Sequence, residues 1–192
     1  MGLMLIKRQE NHVLGIWEIK ESLGEAIEVY NKPIPVEFKS EKRQLEYILT
    51  RLLLQQVDRK LIISYNQFGA PKLNDDRKIS ISHSSDLIAV IISEKKVAID
   101  IEKIRNKPLK IKHKFISNDD RVLDNKTEAT LAWSAKEAIY KLHQQGEIDF
   151  KKNIIIQKID TSKKQIHTTF QKKNLVLNFQ KINNHFLVYV CI

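Results

Sequence analysis

Asp100 and Glu102 stand two apart in the apolar run Val97-Ala98-Ile99-Asp100-Ile101-Glu102. If that run is a strand, its period of two sends both carboxylates to one side of a sheet. Such a pair suits a hard divalent cation, because magnesium takes a few carboxylate oxygens and completes its shell with water and phosphate. It equally suits an acidic strand face set opposite lysines, and the spacing alone does not separate the two. A second cluster, Trp133-Ser134-Ala135-Lys136-Glu137-Ala138-Ile139-Tyr140-Lys141, puts Glu137 and Lys141 four apart. At that spacing an ordinary helical ion pair is worth about 0.2–0.5 kcal/mol. Thr130, Ser134, Glu137 and Lys141 also form a polar stripe, with Lys136 adjoining, that can line a cleft facing the strand carboxylates.

These residues need elements to hold them. Leu3 to Ile19 alternates apolar and polar residues around Gln9 to His12, which predicts a hairpin with Trp17 on its second strand. Leu45, Ile48, Leu49, Leu52 and Leu53 recur at helical spacing, predicting an amphipathic helix from Glu41 to Val57 with Ser40 as its N-cap. After Gly69, Pro71 and Asn74 to Asp76, three strands follow at Ile79–His83, Leu87–Ser93 and Val97–Glu102, and the tight turns between them predict antiparallel neighbours. Asn125 and Glu128 have capping-box spacing ahead of an apolar stripe of Leu131, Ala135, Ala138 and Leu142, so a second helix starts there and Gly146 ends it. Further strands are expected around 153–158, 165–170, 175–179 and 185–192. The class is α+β with mostly antiparallel sheet.

Composition narrows the partners. Gly and Pro are scarce and no low-complexity tether appears, so any halves should pack together. The single cysteine, Cys191, precludes an internal disulfide or a multi-cysteine metal site. No apolar run approaches the roughly 20 residues of a membrane span, and the run from Met1 meets Lys7 and Arg8 too soon for a signal sequence. A cytoplasmic protein without a membrane partner is therefore expected. The formal charge of +10 suits an anionic partner, whether nucleic acid, phosphorylated small molecule or acidic protein, and suits equally a merely solvated lysine surface.

The two clusters together, in this order and on a strand and a helix, resemble the paired signatures of the 4'-phosphopantetheinyl transferase superfamily. Looser landmarks extend the resemblance over roughly residues 40 to 146: Ile81-Ser82-His83-Ser84 is similar to the family's Ile-Ser-His-Ser strand end, and Arg43 and Arg51 on the first helix resemble its basic residues. The resemblance implies transfer of the 4'-phosphopantetheine arm of coenzyme A to a serine hydroxyl of an apo acyl or peptidyl carrier protein, releasing adenosine 3',5'-bisphosphate. It implies Asp100, Glu102 and Glu137 as magnesium ligands, Glu137 also as the base, and Lys141 as a second catalytic group. His83 with Ser82 would contact a phosphate of coenzyme A, Arg43 and Arg51 the 3'-phosphate, and Lys72 and Lys136 would assist.

Three departures stand out: Ala98 replaces a usual glycine, Ala70 replaces a lysine that Lys72 could stand in for, and Gln145-Gly146-Glu147 is poorer in glycine than the family's loop. The length matches the longer, pseudo-dimeric branch, the surfactin-synthetase-activating type. It implies a monomer of two similar halves, 1–94 carrying coenzyme A contacts and 95–192 carrying the magnesium site and catalytic helix. An acidic carrier would then account for the basic surface. The rival expectations are a magnesium-dependent nuclease and a noncatalytic nucleic-acid-binding module. Glu94-Lys95-Lys96 falls in a turn rather than a nuclease strand, and aromatics are too few, at 7%, for a stacking platform.

Overall fold

A computed structural model describes residues 2–34, 37–145 and 147–192. Its helices are α1 (Leu23–Tyr30), α2 (Glu41–Val57), α3 (Asn106–Lys110), α4 (Lys126–His143) and α5 (Phe150–Asn153). Its strands are β1 (Leu3–Arg8), β2 (Val13–Glu18), β3 (Ile63–Tyr65), β4 (Pro71–Leu73), β5 (Lys78–Ser84), β6 (Leu87–Ser93), β7 (Val97–Lys103), β8 (Ile154–Asp160), β9 (Gln165–Phe170), β10 (Lys173–Ile182) and β11 (His185–Cys191). A four-stranded sheet runs β1-β2-β6-β5 and a five-stranded sheet β7-β11-β10-β9-β8, both antiparallel throughout, with β3 and β4 forming a small ladder. Every strand of the first sheet precedes residue 94 and every strand of the second follows residue 96.

The period-two pattern of the central strands sorts the core into layers. On β6, Ile88, Val90 and Ile92 pack with Ile48, Leu49, Leu52 and Leu53 of α2. The alternate residues Leu87, Ala89 and Ile91 meet Val97, Ile99 and Ile101 of β7 and Leu187 of β11 between the sheets. Ala98 of β7 and Val188 and Val190 of β11 turn the other way, onto Leu131, Ala135 and Ala138 of α4. Each sheet thus carries one long helix on its outer face. Because β6 buries both faces it reads as a continuous apolar run, as a strand covered on each side must.

One predicted pairing is corrected. β6 and β7 are not ladder neighbours despite the tight turn at Glu94 to Lys96, because β2 and β5 already occupy both edges of β6. β7 pairs instead with β11, in register from Val97↔Cys191 to Lys103↔His185. Its other edge meets β5 through side chains: the Oγ atoms of Ser80, Ser82 and Ser84 accept the N–H groups of Ile99, Ile101 and Lys103 at 3.1, 3.1 and 3.0 Å. The hydroxyls satisfy donors that an edge strand would otherwise leave open.

The helix ends follow their caps. Ser40 accepts from Arg43 N, and Asn125 accepts from Thr127 N and Glu128 N. The Glu128 carboxylate binds Leu123 N at 2.6 Å rather than closing a capping box. α4 ends at His143 with Gln144 in the left-handed region at φ 56°, earlier than expected; Gly146, the expected stop, lies outside the described residues. Helix α1 is an addition to the predicted elements, although Ser22 and Glu25 close a full capping box at its start.

Candidate active site

β7 and α4 bring the two clusters together. Asp100 projects from the α4 side of β7, where Ser134 Oγ donates to its Oδ2 at 2.7 Å and Lys141 Nζ to its Oδ1 at 2.7 Å. Ser82 Oγ of β5 donates to the same Oδ1 at 2.9 Å. Two residues on, Glu102 accepts from Trp133 Nε1 at 3.2 Å, and Arg105 lies 3.7 Å from its other oxygen. Glu137 lies one turn before Lys141, and with Asp100, Glu102 and Trp133 they line a cleft of about 470 Å³ whose opposite wall carries Lys42, Arg43 and His83. The polar stripe on α4 and the acid pair on β7 do face one another.

Gathering acids here changes their proton affinities. Burial, followed by the charge of Asp100, raises Glu102, with Trp133, Arg105 and Lys141 opposing. Burial and Asp100 push Glu137 up to about 7, Glu102 adding to the rise and Lys141 opposing it. A site that holds acids at this cost suits a bound cation. Among the described residues no three His, Cys, Asp or Glu side chains converge as a complete metal cage; the ammonium of Lys141 sits on Asp100 instead. Magnesium does not require a complete protein cage, since water and phosphate supply much of its octahedron.

On the opposite wall, His83 Nε2 is 2.9 Å from Thr50 Oγ1, whose own proton goes to Glu46 O at 2.6 Å. His83 must therefore donate from Nε2, which leaves Nδ1 as the free nitrogen. Burial lowers its pKa to about 4, with Lys141, Arg43 and Lys42 adding to the fall. Arg43 bonds the buried Glu46 carboxylate at 3.2 Å, with Lys42 at 3.8 Å from its other oxygen. The Arg51 guanidinium lies 3.3 Å from the centre of the Tyr47 ring. Arg51, Tyr47, Phe38 and Tyr65 line a second cleft of about 510 Å³, which shares Arg43 and His83 with the first. An aromatic and arginine wall beside a cleft that carries Lys42, Arg43 and Lys141 suits a nucleotide.

Two expected contacts sit elsewhere. Lys136 has no exposure, and its ammonium is bonded to Asp120 Oδ2 at 2.9 Å and to the carbonyls of Phe115, Phe150 and Ile154 at 2.7, 3.0 and 2.7 Å. It points away from the cleft because successive helical residues diverge by about 100°. Lys72 lines a separate groove with Lys78, Lys96 and His143. Trp133, Thr50, Glu46 and Asp120 hold the site or its supports without having been singled out by type. Trp133 carried a signal in its place in the helical cluster and Glu46 in its i+3 and i+4 spacing from Arg43 and Lys42 on α2; Thr50 meets His83 through a single hydrogen bond and Asp120 acts across loops.

A family model described as the 4'-phosphopantetheinyl transferase superfamily matches residues 96–191, half of the chain. The curated 4'-phosphopantetheinyl transferase gsp of Aneurinibacillus migulanus is similar, 26% identical over 139 residues. That alignment takes in 67% of this chain and 56% of the relative, so the chain spans a little over half of that protein's length.

Proposed function

The chain belongs to the 4'-phosphopantetheinyl transferase superfamily, and from that premise we propose that it moves the 4'-phosphopantetheine group of coenzyme A onto a serine of an apo acyl or peptidyl carrier protein. The observation that carries this reading is the convergence of Asp100, Glu102, Glu137 and Lys141 on one cleft whose far wall presents Arg43 and His83. The two sheets, one wholly before residue 94 and one wholly after 96, each with a long helix, support a pseudo-dimer of halves 1–94 and 95–192. In that arrangement a monomer supplies the whole site, as in the surfactin-synthetase-activating branch.

Asp100, Glu102 and Glu137 would hold magnesium, a hard cation matched to this carboxylate set. When bound, it neutralises charge on the pyrophosphate of coenzyme A. Glu137 takes the proton of the carrier serine, directly or through water. The serine oxygen then bonds to the β-phosphorus as the bond to the leaving adenosine 3',5'-bisphosphate breaks. Lys141 stabilises the departing phosphate. Its three N–H groups are committed to Ser82 Oγ, Asp100 Oδ1 and Ile99 O, so at least one bond exchanges when phosphate arrives. Arg43, Arg51 and His83 receive the nucleotide's phosphates. Lys72 extends the basic rim, and Lys136 acts by holding α4 rather than by touching coenzyme A.

Intact-protein mass spectrometry of apo carrier proteins, incubated with the chain, coenzyme A and magnesium, tests this reading. Expected is a gain of the phosphopantetheine mass that EDTA abolishes. No gain on acyl or peptidyl carriers, with nucleic acid bound or cut in parallel, would replace the transferase reading.

A further inference from the structure

The three serines of β5 perform one shared task and Ser82 performs a second. All three hydroxyl oxygens accept a backbone N–H of β7. Ser82 additionally donates its proton to Asp100 Oδ1 at 2.9 Å and accepts from Lys141 Nζ at 2.9 Å. From the opposite side, the fully buried Ser134 of α4 donates to Asp100 Oδ2 at 2.7 Å. One carboxylate is thus gripped by a hydroxyl on each oxygen, one hydroxyl from the first sheet and one from the catalytic helix.

We propose that Ser82 and Ser134 are positioning residues that set the plane of the Asp100 carboxylate for a divalent cation. This rests on the reading of Asp100 as a metal ligand. The terminal torsion of an aspartate is broad and two-fold, so the side chain does not choose its own plane. Donors on both oxygens choose it. Ser82 has its one proton and both acceptor positions engaged, so it serves coenzyme A through Asp100 and Lys141 rather than by direct contact. The carboxylate is in this way set from the first sheet by Ser82 and from helix α4 by Ser134.

The test is titration calorimetry of magnesium into the full chain with coenzyme A present, on the wild type and on Ser82→Ala, Ser134→Ala, Ser80→Ala and Asp100→Asn, with melting curves for each. Ser80→Ala is the control, because it removes the same seam acceptor without touching Asp100. Removing a hydrogen-bond partner of a metal ligand costs roughly 10- to 100-fold in affinity, and that loss is expected for Ser82→Ala and Ser134→Ala, with Ser80→Ala binding as the wild type does. In transfer assays the same two variants should need more magnesium for half-maximal rate, with Ser80→Ala matching the wild type. Loss of binding in Asp100→Asn, with Ser82→Ala and Ser134→Ala matching Ser80→Ala, would overturn the positioning role and leave Asp100 as ligand. Undiminished binding in Asp100→Asn would overturn both.

Discussion

Glu137 joins burial and carboxylate repulsion in one side chain, and its proton affinity near neutrality has two measurable consequences. An acid whose pKa is higher folded than unfolded binds its proton more tightly in the native state. Its contribution to stability is therefore present below the unfolded value of 4.5 and is lost as pH rises through about 7. In EDTA, Glu137→Gln should melt with the wild type near pH 5 and above it near pH 8, which a pH series of thermal melts would read directly. Equal melting temperatures across that range would mean that Glu137 is not held in a buried acidic cluster. The same variant should lose transfer rate by about 10²- to 10⁴-fold, the usual worth of a placed general base, with its circular dichroism spectrum unchanged.

Helix α4 presents two chemistries on two faces: Glu137 and Lys141 in the cleft, and Lys136 in the protein interior. Lys136 binds the loop before the helix through Phe115 and Asp120, and the segment after it through Phe150 and Ile154. Burial lowers the pKa of Lys136 and Asp120 opposes the fall, and the two side chains, 2.9 Å apart, are fully enclosed. Asp120 in turn accepts from Ile156 N and Ser117 N, both at 2.7 Å. Lys136→Met would strand that carboxylate, and breaking a buried pair costs about 3–5 kcal/mol, to be measured by urea unfolding. A lysine that merely touched coenzyme A would, on removal, raise KM with stability intact.

Across the whole molecule, the cleft lies where β5 and β7 meet, and its walls come from both sheets. The formal charge of +10 adds a long-range field to this local geometry. Steered encounter with an acidic partner slows as salt shortens the Debye length from about 30 Å at 0.01 M to about 8 Å at 0.15 M. The kcat/KM for an acidic carrier should therefore fall steeply over that range while kcat at saturating carrier changes little. A salt-independent kcat/KM would show that the basic surface has no part in carrier capture.

Much of this was written into local sequence. Period two on β7 set Asp100 and Glu102 to one side, period 3.6 on α4 aligned Ser134, Glu137 and Lys141, and Ser40 and Asn125 marked helix starts, because each effect acts within a turn or two of chain. The Ser22 and Glu25 capping box that starts α1 is an equally local signal. Three decisions belong to the tertiary structure. β7 left its sequence neighbour because both edges of β6 were filled. Lys136 turned inward because acceptors 14 to 21 residues away converged on it. Ser82 met Asp100 and Lys141, 18 and 59 residues distant, because two edge strands lie side by side. Periodicity assigns a residue to a face; which group waits opposite that face is fixed only when distant segments compete for the same edges and buried acceptors.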